Sequence, residues 1–168
     1  MVRQMLTRSA LPALVALFIG AAAAFGQAPT PPGPKPKEVT LAEALKILDT
    51  AKKTAAGLNL NVSIAVTDAR GDVIAVARMP GAAPTTTDDA IGTAMTSAIY
   101  GLSSGLSLAR ATNAATLALN AASGGRLRVV QGAVSILRNG YAIGAIGAAG
   151  ATPQQNEDIA KSGLAAIQ

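Results

Sequence analysis

The sequence predicts an α+β fold with a central antiparallel sheet of about five strands flanked by helices, and three observations carry that prediction. Two hairpin signatures, at residues 68–71 and at Asn139-Gly140, are separated by helical periodicity. That order pairs strands antiparallel rather than winding them doubly. Capping signatures open one helix at Thr40 and another at Thr152, on either side of the hairpins. Alanine supplies 38 of the 168 residues, so the interior is thin and close approach of helices to sheet has to compensate. The predicted order is α-β-β-α-α-(β)-β-β-α, with one strand optional.

Residues 1–26 have the pattern of a secretory signal peptide. Arg3 and Arg8 precede an uncharged run from 10 to 26 that ends in small residues. About 17 residues diluted by Ala fall short of the roughly 20 that a spanning helix needs, so no stable membrane anchor is expected. Residues 27–39 are a Pro-rich linker, P-T-P-P-G-P-K-P-K between 29 and 37, that cannot build a core. The domain proper is expected over residues 40–168, in a secreted or periplasmic protein.

Thr40-Leu-Ala-Glu43 is a capping box, in which hydroxyl and carboxylate satisfy the free N–H groups of a helix start. Leu41, Ala44, Leu45, Leu48, Ala51 and Ala55 form its apolar stripe. Lys52 falls on that stripe near the helix end, where its stem can cover apolar surface. Gly57 is the expected stop. Leu60, Val62, Ile64 and Val66 alternate with Asn61, Ser63, Ala65 and Thr67, the pattern of a strand with one wet face. After the turn, residues 73–77 are unbroken apolar and predict a strand buried on both faces, ending at Arg78. A loop over 79–87 leads to a helix capped by Thr87, Asp88 or Asp89, with Ile91, Ala94, Met95, Ala98, Ile99 and Leu102 on its apolar face. Residues 101–105 break it, and an Ala-rich helix over 107–122 follows, ended by Gly124-Gly125. Asn139-Gly140 favours a type I′ turn between strands at 133–138 and 141–147. Thr152-Pro153-Gln-Gln155 opens the last helix.

Composition closes most enzyme chemistry. The chain has no His, Cys or Trp, which removes imidazole bases, Ser/Cys–His triads, thiolate or imidazole metal sites and disulfides. Basic residues are scattered without interleaved aromatics, so no nucleic-acid partner is expected. Gly101-Leu-Ser103-Ser104-Gly105 matches G-x-S-x-G by letter, but it follows a helix and has no His to work with. A Ser–Lys dyad would need Lys46, Lys52 or Lys53, all of which belong to a solvated helix face or helix end. Asp68 and Asp72 fit a turn better than a catalytic pair, and with Asp88 and Asp89 they match no Ca²⁺ loop spacing. Gly144, Gly147 and Gly150 precede a helix start. They serve either close packing against Ala-rich helices or the approach of a ligand to bare backbone. No catalytic residue is assigned.

Three blocks together resemble the GlcG/HbpS family, which includes secreted haem-binding proteins and domains fused to corrinoid adenosyltransferases. They are V-S-I-A-V-T-D-A-R-G-D-V-I-A-V-A-R-M-P-G-A at 62–82, D-A-I-G-T-A at 89–94, and G-Y-A-I-G-A-I-G-A-A-G-A-T-P-Q-Q-N-E-D-I-A at 140–160. The resemblance covers nearly all of residues 40–168. It implies a profilin-like α/β sandwich, a homo-oligomer and tetrapyrrole binding, with haem as the possible cofactor. Thr93 and Met95 stand where the family's helix usually carries Lys and Arg. The expected ligand site is bounded by Arg78 and Met79 at the mouth of the second strand, the 88–100 helix with Thr93 and Tyr100, and Gly144 and Gly147. Which metal ligand would serve is left open, since Met79, Met95, Tyr100 and Tyr141 are the main donors available. The expected function is non-catalytic binding of haem or a related tetrapyrrole for scavenging, storage or sensing. The alternatives are a small enzyme or accessory acting on an organic acid or cofactor, and a structural oligomer whose site has decayed. Ala94, Ala98, Ala111, Ala115 and Ala118 are the residues expected to pack between copies.

Overall fold

Four strands pair antiparallel in the order β2-β1-β4-β3 in this computed structural model, which describes residues 36–168. The expected signal peptide and most of the linker lie outside the described residues. The strands are β1 (Ser63–Asp68), β2 (Val73–Arg78), β3 (Ala133–Arg138) and β4 (Tyr141–Ala149). Helices α1 (Leu41–Gly57) and α5 (Pro153–Leu164) cover one face, and α2 (Thr86–Tyr100) covers the other. A short α3 (Ser104–Ser107) and α4 (Ala114–Ala122) connect α2 to β3. The optional fifth strand is not formed among the described residues. Its segment is tied instead to helices, through Arg128 N–H to the Gly92 carbonyl and Leu127 N–H to Asn120 Oδ1.

The two faces of the sheet are built differently. Ile47, Val62, Ile64, Val66, Ile136, Ile146 and Ile159 fill the α1/α5 side. The α2 side is almost wholly Ala, with Ala65, Ala145 and Ala149 of the sheet against Ala90, Ala94 and Ala98. Small side chains stabilise little by area, at about 0.8 kcal/mol per buried CH₂, but they let helix and sheet backbones come close. Gly147 takes this furthest: a Cβ there would meet the Ala90 carbonyl oxygen and lie 2.8 Å from the Ala94 nitrogen.

Local signals hold at the starts of α1 and α5 and at the β3–β4 turn, whereas α2 starts at Thr86 with no side-chain cap from Thr87, Asp88 or Asp89. Thr40 and Glu43 form the capping box, as do Thr152 and Gln155, with Pro153 opening α5. The two hydrogen bonds to Thr40, backbone then hydroxyl, together with Arg138 at 2.7 Å, hold the Glu43 carboxyl below its ordinary pKa. Asn139 and Gly140 both have positive φ, as a type I′ turn requires.

Three expectations are corrected, and a fourth in its mechanism. α1 ends at Gly57 as expected, but the residue that turns left-handed past its end is Asn59, at φ 56°. The stripe of α1 is rotated, burying Ile47 and leaving Leu41 and Leu45 exposed, and Lys52 pairs with Asp49 at 2.9 Å. The helix expected over 107–122 is broken, because Asn113 accepts a hydrogen bond from Ala115 N–H and starts α4 anew. The assignments of β1 and β2 are reversed. The alternating β1 is central and buried on both faces, whereas the unbroken apolar β2 is the edge strand. Ser63 and Thr67 are buried because α2 lies over them, and strand order decides burial where pattern does not.

Candidate functional site

The register of the β1–β2 ladder pairs Ser63 with Arg78, Ala65 with Val76 and Thr67 with Val73. Paired residues share a face, and this is the face buried under α2 in β1. Arg78, Val76 and Val73 therefore continue it one strand outward, where α2 no longer covers it, since that helix lies mainly over β4, β1 and β3. Val73 and Val76 are 44% and 43% exposed. On the opposite face Ile74, Ala75 and Ala77 pack into the core under α1.

One flank of α2 walls this strip. A Cβ on Gly71 would lie 2.6 Å from Met95 Cγ, which fixes Met95 over the β1–β2 turn. Ile91 and Ile99 stand one turn to either side of it on the same stripe. Arg78 closes the end near the start of α2, because its ladder partner Ser63 lies 2.8 Å from the Thr86 hydroxyl and 3.1 Å from that of Thr87. The Arg78 guanidinium donates to the Ala82 carbonyl and pairs with no carboxylate among the described residues. With five N–H donors it keeps capacity for a forked bond to a ligand carboxylate. The arrangement is a shallow apolar strip with a cation at one end.

Of the six site residues expected from sequence, only Arg78 stands on this strip. Met79 follows Arg78 in the chain, turns to the other side of the sheet and packs against the α1/α5 core. Thr93 is 1% exposed and bonds its own helix at the Asp89 carbonyl, so it offers nothing to a ligand. Tyr100 lies at the far end of α2, about 21 Å along the axis from Thr86. There its hydroxyl is 2.6 Å from that of Thr116, and Arg110 lies over its ring. Gly144 and Gly147 face opposite sides of the sheet. A Cβ on Gly144 would meet Val39 and the Thr67 carbonyl, while Gly147 lies beneath α2. Both positions serve close packing.

The other motifs resolve as structural. Asp68 Oδ1 accepts from the N–H groups of Arg70 (2.8 Å) and Asp72 (2.9 Å), which makes the turn. Asp89 pairs with Arg128. Among the described residues no group of three His, Cys, Asp or Glu side chains is placed to hold a metal ion. In the Gly101–Gly105 segment the motif's serine, Ser103, stands at the N-cap of α3, and its neighbour Ser104 is fully buried, with an Oγ that accepts from the N–H groups of Gly132 and Ala133, both at 2.8 Å. Sequence reasoning missed Val73 and Val76, because an unbroken apolar run predicts a covered strand. The signal available was Arg78, a charge two residues along from Val76 and so on the same face.

Residues 39–165 match the family model described as haem degrading protein HbpS-like. A search of curated proteins returns no match. Solved structures of similar fold include Klebsiella pneumoniae protein ORFY, with a TM-score of 0.72, 21% identity, and coverage of 80% of this chain and 93% of that one. A double mutant of Streptomyces reticuli HbpS matches with a TM-score of 0.70 and 25% identity over 88% of this chain and 99% of its own. A PduOC:haem complex matches with a TM-score of 0.69 and 26% identity over 79% and 96%. With the family model spanning the whole sheet and the helices on both of its faces, this chain belongs to the HbpS-like family.

Proposed function

We propose that this domain binds haem or a related tetrapyrrole, without transforming it, on the open strip beside β2. The single observation that carries the reading is Arg78, a guanidinium with no carboxylate partner among the described residues, at the end of the exposed Val73–Val76 strip. The haem named in the PduOC structure and in the family description supports the ligand class. The residues fit an apolar ring and its carboxylates. They do not fit the iron, because the strip holds no free axial donor. Arg78→Ala should weaken haemin binding by about 1.5–3 kcal/mol through loss of a charged hydrogen bond. A spectral titration checks this, and an unchanged affinity in a folded variant removes the site. The family description also favours a second reading, in which the ring is broken down. A Soret band that decays under hydrogen peroxide faster with the protein than in buffer would support that reading over binding alone.

Two further proposals concern the setting. Residues 1–26 direct export, so cell fractionation should find a shortened protein outside the cytoplasm; full-length protein in the cytoplasm contradicts this. The domain also forms a homo-oligomer. Ala94 and Ala98, expected to pack between copies, are buried within the subunit under the sheet. The supporting surface is instead α3–α4, where Leu106, Leu108, Leu117 and Leu119 are exposed and α4 buries only Thr116. Light scattering should return a multiple of the subunit mass that falls in Leu117→Glu, whereas a monomer at micromolar concentration contradicts the proposal.

A further inference from the structure

We infer that ligand selection on the β2 strip is blind to the metal, so that the domain takes metal-free and iron-bearing tetrapyrrole carboxylates alike. The inference rests on the proposed binding site and concerns which part of the ligand that site recognises. An iron-selective site needs a side chain that can reach the metal, and among the described residues the sulfur, phenol and amine donors stand elsewhere or are packed. The chain has no His or Cys. Met79 packs into the core on the far side of the sheet. Tyr100 follows Ile99 on α2 but turns to α4, where its hydroxyl is bonded to that of Thr116. Tyr141 opens β4, opposite Arg138 on β3 and away from the β2 edge. Lys46, Lys52 and Lys53 belong to α1 and Lys161 to α5, both across the sheet. Met95 alone borders the strip, and it is 7% exposed, with its Cγ packed over Gly71. What the strip presents is apolar surface from Val73, Val76 and Ile91 and one guanidinium. Those groups recognise a flat apolar ring and its carboxylate, features that protoporphyrin IX and haemin share.

The test titrates the purified protein with haemin by absorbance and with protoporphyrin IX and zinc protoporphyrin IX by fluorescence. The same titrations are run on Arg78→Ala and Met95→Leu. We expect dissociation constants for the three ligands within about threefold of one another. All three should weaken at least tenfold in Arg78→Ala, and any change in Met95→Leu should be the same for the three ligands. Haemin binding more than thirtyfold tighter than protoporphyrin IX overturns the inference and leaves tetrapyrrole binding intact. So does a loss confined to haemin in Met95→Leu, which would make Met95 an axial ligand. Absence of saturable binding by all three overturns both the inference and the proposed function.

Discussion

Gly147→Ala should destabilise the domain by about 2–3 kcal/mol, at the upper end of what overpacking a core costs. The new methyl has nowhere to go. It would meet the Ala90 carbonyl oxygen, and lie 2.8 Å from the Ala94 nitrogen and 3.1 Å from the Ala94 Cβ. These are mostly backbone atoms of α2, which cannot rotate aside as the tip of a side chain could. The helix would have to lift, opening the layer in which Ala65, Ala145 and Ala149 touch Ala90, Ala94 and Ala98. Such a layer has little area in reserve, so a small separation loses most of its contact. Gly57→Ala is the control. Nothing lies within 4 Å of a Cβ there, and the residue is helical, so the change should be neutral or stabilise by up to about 1 kcal/mol. Urea midpoints of the two variants check both results. A Gly147→Ala protein as stable as the parent would mean that α2 does not sit as close as the structure places it.

Ser104→Ala should cost roughly 2–4 kcal/mol, because it leaves two buried donors without an acceptor. Both lone pairs of the hydroxyl are in use, one for Gly132 N–H and one for Ala133 N–H, at 2.8 Å each. Ser104 is fully buried. The bond pair ties α3 to the start of β3, so the change should also loosen the α3–α4 segment. Hydrogen exchange at Gly132 and Ala133 should rise with the fall in stability. Ser104→Thr, which keeps the oxygen, should retain slow exchange there if the extra methyl is accommodated. A Ser104→Ala protein with native stability would mean that the Gly132 and Ala133 N–H groups find another acceptor.

The sequence announced most of the fold through local chemistry. Thr40 with Glu43, Thr152 with Gln155, and Asn139-Gly140 each satisfy or redirect backbone within a few residues, so they can be recognised without knowing the rest of the chain. Strand order could not be recognised in this way. It depends on the pairing of β1 with β4, residues some eighty positions apart, and that pairing makes β2 an edge. Burial followed from order, so Ser63 and Thr67 were expected wet and are dry, while Val73 and Val76 were expected dry and are wet. The candidate site suffered from the same cause. Arg78 was identifiable because a charge closing an apolar run points to an exposed end. Met79, its neighbour, packs on the α1/α5 side of the sheet, because adjacent strand residues face opposite layers. Gly144 and Gly147 are three apart, which on a strand also places them on opposite faces.

Tetrapyrrole binding at the β2 edge is tested most directly by hydrogen–deuterium exchange of the purified protein with and without saturating haemin. The edge strand has one side unpaired and its outer valines exposed, so it should exchange readily when free. The account predicts slower exchange in the ligand complex confined to residues 73–78 and to the start of α2, with residues 114–122 unchanged. Slower exchange in α4 or along α1, with β2 unaffected, would contradict it and move the ligand to another face of the molecule.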